Sequence, residues 1–292
     1  MVAPAASSRR RRLQVDRALI AVAAFHRAFD PRGALATDPL RFAHRYADDD
    51  DRALVALLAA LMAFGRVATI GQKLEDLCAR LGPRPADVLR AEGREALRER
   101  LRGFRHRTFR GADIADLLFA LGADLRREGR VLGALERAWE SRGDLRAALS
   151  QWVHGLRAVA WPAGADRAQQ HLLPDPAGPS ASKRLMLFLR WVARRGGVDL
   201  GLSTIPPSAL LVPVDVHVHR IARNLGLTAR ADASWRTAEE ITAALRLLSP
   251  HDPVQYDFAL CHLGISGRCP SSSRLPERCA GCALRPVCMH WR

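Results

Sequence analysis

Lysine is almost absent from this chain of 292 residues. Of its 45 Lys and Arg residues only Lys73 and Lys183 are lysine, and the other 43 are arginine. A guanidinium stays protonated in proteins, whereas an ammonium can lose its proton and attack carbon. Lys183 stands in the first turn of a helix predicted over residues 180–195, which makes it a candidate nucleophile. A surface charge that binds phosphate is the alternative interpretation.

Long apolar runs are also missing. No segment reaches the roughly 18 consecutive apolar residues that identify a transmembrane helix. Residues 53–64, the longest candidate, are predicted as a buried helix. The arginine-rich start resembles a signal peptide, but Asp16 and Arg17 interrupt its apolar part. We therefore expect a disordered basic tail over residues 1–12 and a cytoplasmic protein.

Alternating strand patterns are nearly absent as well, and apolar residues at helical spacing dominate, which predicts an all-α fold. Further helices are predicted over residues 111–129, 165–173 and 237–249. We expect two helical domains. Residues 13–50 and 196–292 form a composite domain, and residues 51–195 form a bundle that ends in a helix-hairpin-helix. The turn of that motif, residues 174–179, can present backbone N–H groups to a phosphate.

Residues 212–221, with the sequence VPVDVHVHRI, fit two local structures. The alternation of Val with Asp and His has the period of a strand. A helix also fits, because Asp215 is a good N-cap and Gly226 follows the expected end. A carboxylate at position 215 could also stabilise positive charge on a reacting sugar and assist an attacking amine. The alternative is a cap with no further role.

Acidic residues are too few to balance the basic ones. Thirty Asp and Glu residues oppose 45 Lys and Arg residues, which gives a net charge of +15 and a pI of about 11.1. Such a charge favours a polyanionic partner, most often nucleic acid. The alternative is an arginine-biased genome that gives an ordinary enzyme a basic surface.

Four of the six cysteines lie within the last 24 residues, in the pattern C-x9-C-x2-C-x5-C. They are Cys269, Cys279, Cys282 and Cys288. Such a set can hold a [4Fe–4S] cluster or a structural zinc ion, and one CxxC flanked by two single cysteines favours the cluster. Cys78 and Cys261 are predicted to be packing residues.

The order of these features resembles the endonuclease III superfamily of DNA glycosylases. A helix-hairpin-helix is followed by Lys183, by VDVHVHRIARNLGL (residues 214–227) and by a four-cysteine loop. In that superfamily a VDTHV-R…RLGL segment carries the catalytic aspartate, matched by Asp215. A lysine at the start of the second hairpin helix is the Schiff-base nucleophile of bifunctional members, matched by Lys183. The superfamily's cysteine motif, C-x6-C-x2-C-x5-C, matches the last three cysteines, and the first gap here is three residues longer.

Three segments resemble an uncharacterised bacterial family within or beside that superfamily more closely. They are residues 44–66, 182–194 and 213–227. The sequence departs from the superfamily at the hairpin, where LPGVGxxTA is replaced by LLPDPAGPSAS. The separation between the lysine and the aspartate is also longer, and is similar to that in the archaeal 8-oxoguanine glycosylases. This likeness implies an oxidised purine as the substrate.

The resemblance implies a monomeric DNA repair glycosylase with AP-lyase activity. Its partner would be double-stranded DNA containing a damaged base or an abasic site. Lys183 would attack the sugar of the flipped-out nucleotide, and Asp215 would stabilise the positive charge. The candidate DNA contacts are Arg66, Arg184, His217, Arg220 and Arg223. Each of these could instead be an ordinary surface charge.

Two other functions stay open. The chain could be a non-catalytic iron–sulfur protein that binds nucleic acid and keeps the scaffold without cleaving anything. It could also be a structural zinc protein that acts as an interaction module.

Overall fold

The computed structural model describes residues 4–269 and 276–291, and most of these residues are helical. The prediction of an all-α fold is therefore confirmed. Within the described part, strand is confined to two antiparallel pairs with two residues in each strand. None of the described helices combines the length and the hydropathy that a membrane crossing requires.

The α-helices are α1 (Pro4–Ala28), α2 (Pro31–Leu35), α3 (Asp49–Leu61), α4 (Val67–Leu81), α5 (Pro85–Ala91), α6 (Arg94–Arg100), α7 (Gly111–Glu128), α8 (Gly133–Arg142), α9 (Leu145–Ala160), α10 (Arg167–Leu172), α11 (Lys183–Ala193), α12 (Val216–Leu225), α13 (Trp235–Arg246), α14 (Asp257–Ile265) and α15 (Pro276–Cys279). The strands are β1 (Arg105–His106), β2 (Phe109–Arg110), β3 (Arg195–Gly196) and β4 (Asp199–Leu200). Short 3-10 helices cover Pro39–Arg45, Pro207–Ala209, Pro253–Tyr256, Arg285–Val287 and Met289–Trp291.

The chain divides into two compact units. The terminal unit consists of Met1–Ala34, Pro179–Met186 and Pro207–Arg292. The central unit consists of Leu35–Gly178 and Leu187–Pro206. Each unit is therefore assembled from segments that are distant in sequence, and a short insertion from the middle of the chain completes the terminal unit.

The boundaries of the units differ from the expected domains. The sequence groups residues 13–50 with the C-terminal segment, whereas residues 35–50 lie in the central unit. There the 3-10 helix Pro39–Arg45 packs on α3 and buries Phe42 completely. The second difference is the segment Pro179–Met186, which the sequence places in the bundle and which belongs to the terminal unit.

Helix α1 begins at Pro4, within the tail that the sequence predicts to be disordered over residues 1–12. Ala and Arg, which are frequent in this stretch, have high helix propensity, and lengthening an existing helix costs little compared with starting one. Further along α1, Leu19 and Val22 are buried in the terminal unit. The helix therefore extends from a buried segment outward through the basic residues.

The other predicted helices are confirmed, with some ends shifted. The apolar run 53–64 lies in α3, which ends at Leu61, so Gly65 lies in the following loop and is not a helix cap. Helix α7 closes on Gly129 in the left-handed conformation, as expected. Helix α13 begins earlier than expected, because Ser234 rather than Thr237 is its N-cap.

Candidate active site

The segment that leads into α11 is hydrogen-bonded to the start of α13. The Ala181 N–H donates to Ala233 O at 3.2 Å, and the Trp235 N–H donates to Pro179 O at 3.2 Å. All four residues belong to the terminal unit. These two backbone bonds fix the extended segment before α11 against the start of α13. Lys183, the first residue of α11, therefore has a defined place in this unit.

Ser182, immediately before Lys183, has a strained backbone. Its φ is +47°, in the left-handed region, which costs a residue other than glycine about 1–2 kcal/mol. Its hydroxyl is buried and has no hydrogen-bond partner among the described residues. Its carbonyl accepts from the N–H groups of Leu185 and Met186. The strained residue thus turns the extended chain into the helix at Lys183, and strain of this kind is concentrated at functional sites.

Asp215 is the N-cap of α12. Its Oδ1 accepts from the backbone N–H groups of His217 and Val218, each at 2.9 Å. Gly226, with a φ of +78°, ends the same helix. The helical interpretation of residues 212–221 is therefore correct, and the strand interpretation is wrong. The cap uses one carboxylate oxygen and leaves the other, Oδ2, outside the helix.

The second oxygen of Asp215 faces the lysine. Oδ2 lies 3.9 Å from Lys183 Nζ, and the two side chains are 20% and 24% exposed. This separation is longer than a hydrogen bond, but opposite charges at such a distance still attract each other. The two predicted catalytic side chains therefore lie together in one unit and remain reachable from solvent. The sequence singled out both residues as candidates but did not contain the distance between them.

Cys261, which the sequence assigns to packing, borders the same carboxylate. Its Sγ lies 3.9 Å from Asp215 Oδ2. One turn later on α14, Gly264 lies against His217, and a Cβ at Gly264 would come within 2.4 Å of the His217 Cβ. A glycine is therefore required where α14 approaches α12. No sequence pattern marks Cys261, because its contact with Asp215 is made between two different helices.

The three predicted DNA contacts on α12, His217, Arg220 and Arg223, have different surroundings. Arg220 Nη2 donates to Cys269 O at 2.6 Å and lies 3.2 Å from His217 Nδ1. It therefore links the helix to the first residue of the cysteine motif. Arg223 is exposed and lines a groove with Arg220 and His219. Of these residues, Arg223 is the one whose guanidinium is most open to an anion.

The remaining two predicted DNA contacts are not part of this group. Arg184 is 8% exposed, and burial lowers its pKa to about 10. Its guanidinium is therefore held inside the protein rather than at a surface that touches phosphate. Arg66 is exposed, but it lies in the central unit just before α4.

The four C-terminal cysteines line one pocket of the terminal unit. The pKa of Cys282 and that of Cys288 are raised, first by burial and then by the charge of the neighbouring cysteines. Gln14 Nε2 on α1 donates to Val287 O at 2.7 Å and ties the segment to the N-terminal helix. Among the described residues, no group of three or more His, Cys, Asp or Glu side chains could already hold a metal ion. The donor chemistry and the shared pocket fit a thiophilic metal, while the side chains are not in ligating positions.

The turn predicted to clamp phosphate, residues 174–179, uses its own amide groups. The Ala177 N–H donates to Asp175 Oδ1 at 2.9 Å, and the Gly178 N–H donates to Asp175 O at 3.1 Å. Burial acts to raise the pKa of Asp175, but hydrogen bonds from Ala177 and from two side chains of α9 lower it overall. The Asp175 carboxylate therefore accepts the hydrogen bond that a phosphate would need from the Ala177 N–H. Both N–H groups are already hydrogen-bonded within the turn and are not free to bind DNA.

Neither the curated proteins nor the solved structures yielded a match to this chain. A family model does match it, over residues 38–266, and the family is described as a protein of unknown function (DUF2400). The matched span includes Lys183 and Asp215 and ends before Cys269. Since the match covers well over half of the sequence, this chain belongs to the DUF2400 family.

Proposed function

We propose that this protein is a DNA N-glycosylase with AP-lyase activity, in which Lys183 and Asp215 carry the chemistry. The observation that supports this most is the 3.9 Å between Lys183 Nζ and Asp215 Oδ2. The two groups come from segments 32 residues apart in the sequence, and both are partly exposed. A lysine whose only role was to neutralise surface charge would not need a carboxylate already fixed by a helix.

Lys183 is the nucleophile of the proposed reaction. Its neutral amine attacks C1′ of the damaged nucleotide, and the bond from C1′ to the base nitrogen breaks. The base leaves with that electron pair and takes up a proton. Opening of the sugar ring then gives a protonated imine between Nζ and C1′. Removal of a proton from C2′ expels the 3′ phosphate by β-elimination, and water finally hydrolyses the imine.

Asp215 stabilises charge and orients the amine. In the proposed reaction its Oδ2, which lies 3.9 Å from Lys183 Nζ, stays a carboxylate and stabilises the positive charge that develops on the sugar under attack. Two backbone bonds from His217 and Val218 to Oδ1 hold the carboxylate, so it does not have to move during the reaction. The helix cap therefore serves the chemistry by fixing the orientation of the second oxygen.

The proposed substrate is double-stranded DNA with a damaged base or an abasic site, bound by a monomer in the cytoplasm at the nucleoid. The net charge of +15 supports a polyanionic partner. A target base in a duplex must be flipped out of the stack before an amine can reach its C1′. An oxidised purine is the proposed lesion, on the likeness to the archaeal 8-oxoguanine glycosylases.

We also propose that Cys269, Cys279, Cys282 and Cys288 hold a [4Fe–4S] cluster. Their common pocket beside α12 supports this. When bound, the cluster would supply a rigid cross-link for the C-terminal segment rather than a reacting centre. Anaerobically purified protein should contain iron and inorganic sulfide, and Cys282→Ala should lose both. Cys78→Ala and Cys261→Ala are the matched controls, and stoichiometric zinc without sulfide would support the zinc alternative.

Trapping with borohydride tests the enzymatic function. Reduction of the imine should join wild-type protein covalently to a duplex with one abasic site, and Lys183→Ala should form no adduct. A panel of duplexes, each with a single lesion, should then identify the base through its release and through strand nicking. If the wild-type protein binds these duplexes but never traps on any of them, the non-catalytic nucleic-acid-binding function is the correct one.

A further inference from the structure

A short two-stranded hairpin in the central unit carries three exposed arginines. Strands β1 and β2 are joined by a two-residue turn, and Arg105, Arg107 and Arg110 are exposed while His106 and Phe109 are buried. We call residues 105–110 the arginine hairpin. Its exposed side therefore presents only guanidinium groups and one threonine to solvent.

The arginines of this hairpin differ from some other exposed arginines of the central unit. Three such arginines on helices or next to them pair with carboxylates: Arg84 with Asp87, Arg102 with Glu99 and Arg127 with Asp124. Among the described residues, none of the three hairpin arginines forms an ion pair. The nearest acid along the chain, Asp113, is buried and accepts from the Arg110 N–H and from Gln169. Among the residues that the structure describes, the charge of the hairpin is therefore not paired with a carboxylate.

Two of these arginines stand at opposite positions of the strand pair. Arg105 on β1 pairs in register with Arg110 on β2. Like charges at opposite positions of an antiparallel pair destabilise it. An anion placed between the two guanidinium groups would remove this repulsion. The pairing is therefore a cost in the free protein that a phosphate would relieve.

The tip of the hairpin is strained and tightly packed. Arg107 has a φ of +53°, and its guanidinium carbon lies 5.4 Å from the centre of the Phe64 ring. A Cβ at Gly65 would come within 3.0 Å of Arg107 Nη1. The loop that contains Gly65 and Arg66 therefore lies next to the tip. Arg66 is exposed, and it is the fourth exposed arginine of this region. Strained residues of this kind persist where the surroundings hold them, and they cluster at ligand-binding sites.

We propose that the arginine hairpin, together with Arg66, binds the phosphodiester backbone of nucleic acid. The inference deepens the proposed function and rests on it for the identity of the polyanion. The arginine hairpin would also supply the phosphate contact that the sequence predicted for the turn at residues 174–179. In that turn the N–H groups of Ala177 and Gly178 donate to Asp175 instead. An anionic membrane fits less well, because interfacial binding uses an exposed apolar face and the apolar residues of this hairpin are buried.

The test compares two triple variants that lower the net charge equally. The hairpin variant carries Arg105→Gln, Arg107→Gln and Arg110→Gln. The control carries Arg84→Gln, Arg102→Gln and Arg127→Gln, all of which remove exposed arginines that pair with carboxylates. Binding of a fluorescently labelled undamaged duplex is measured by anisotropy over a range of salt concentrations. Thermal melting checks that each variant is folded, and Arg107→Gln alone replaces the triple variant if that one unfolds.

The hairpin variant should bind the duplex at least about tenfold more weakly. Each lost phosphate contact should also reduce the slope of log K against log salt by about 0.9. The control variant should change neither quantity by a comparable amount. Equal losses in both variants would mean that only net charge matters, and unchanged binding would equally overturn the proposal. Lost binding to phosphatidylserine vesicles with intact duplex binding would assign the hairpin to a membrane instead.

This outcome is independent of catalysis. Undamaged DNA is bound but not processed, so the hairpin can be wrong while Lys183 still traps on abasic sites. Conversely, trapping can fail in a protein whose hairpin variant shows the expected change of salt dependence.

Discussion

The two lysines of this protein occupy very different surroundings. Lys183 begins α11 and faces the carboxylate of Asp215 at 3.9 Å. Lys73 lies in the middle of α4, and its Nζ is 5.7 Å from the centre of the Phe104 ring. The face of an aromatic ring attracts a cation, so the Phe104 ring gives the Lys73 side chain a favourable contact. Rarity of lysine marked both positions equally, and only the neighbouring groups distinguish a candidate nucleophile from a packing residue.

The sharpest way to break this comparison is to replace each lysine by arginine. Arginine keeps the positive charge but cannot act as the attacking amine. Lys183→Arg should lose base release and strand nicking by several orders of magnitude, and Lys73→Arg should keep both. Single-turnover kinetics on an abasic-site duplex measure the difference. Equal activity of the two variants would remove Lys183 from the chemistry.

The second-largest expected effect concerns Asp215, whose role in catalysis can be separated from its role as the N-cap of α12. Asp215→Asn keeps an oxygen that can cap α12 but removes the charge, so activity should fall about 10²-fold with stability nearly unchanged. Asp215→Ala removes the cap as well and should lower the free energy of unfolding by about 1 kcal/mol. Chemical denaturation and single-turnover rates measure the two effects. An active Asp215→Asn variant would reduce this residue to a cap alone.

The close approach of α14 to α12 supports the site that contains Lys183 and Asp215. Gly264→Ala should therefore destabilise the protein by about 1–3 kcal/mol, because the added methyl would overlap the His217 side chain. The matched control is Gly155→Ala on α9, where an added Cβ meets nothing within 4 Å. The control should be neutral or slightly stabilising, since alanine favours a helix. Denaturation curves of both variants decide the matter.

The smallest expected effect is on the stability of the protein at acidic pH, through His106 near Lys73. The pKa of buried His106 is lowered by burial and, to a smaller degree, by the cations Arg107 and Lys73. The unfolded chain therefore binds more protons than the folded one just below the ordinary pKa of histidine, and stability falls as the pH drops through that window. Lys73→Gln should make this acid-induced loss slightly smaller. Unfolding followed at several pH values between neutral and mildly acidic conditions tests the sign.

Much of the fold could be predicted from local sequence. Apolar spacing predicted helices such as α7, and Asp215 with Gly226 predicted the limits of α12. These features depend on interactions within one or two helical turns, which a short stretch of sequence contains completely. The disorder predicted for residues 1–12 was an exception, because α1 already begins at Pro4. The buried residues that anchor this helix lie after the arginines, so the arginine-rich stretch alone did not indicate a helix.

The rest required contacts between distant segments. Cys261 and Asp215 are 46 residues apart, and only the packing of α14 on α12 brings them together. The arginine hairpin had a visible signal, since exposed Arg and buried His or Phe alternate over residues 105–110. What the sequence did not contain was that these arginines form no ion pair with any described carboxylate, which depends on where every nearby carboxylate lies.

The amino-acid sequence by itself determined the helical class, the caps of α12, the basic charge and the presence of lysine at position 183, because each follows from composition or from neighbours along the chain. Tertiary structure alone decided that Lys183 and Asp215 share one unit and that Arg184 is buried. Only the structure shows that, in the turn at residues 174–179, the Asp175 carboxylate accepts from the Ala177 N–H. The physical reason is the same in each case. Distances between side chains are set by how helices pack, and packing depends on the whole set of buried contacts at once.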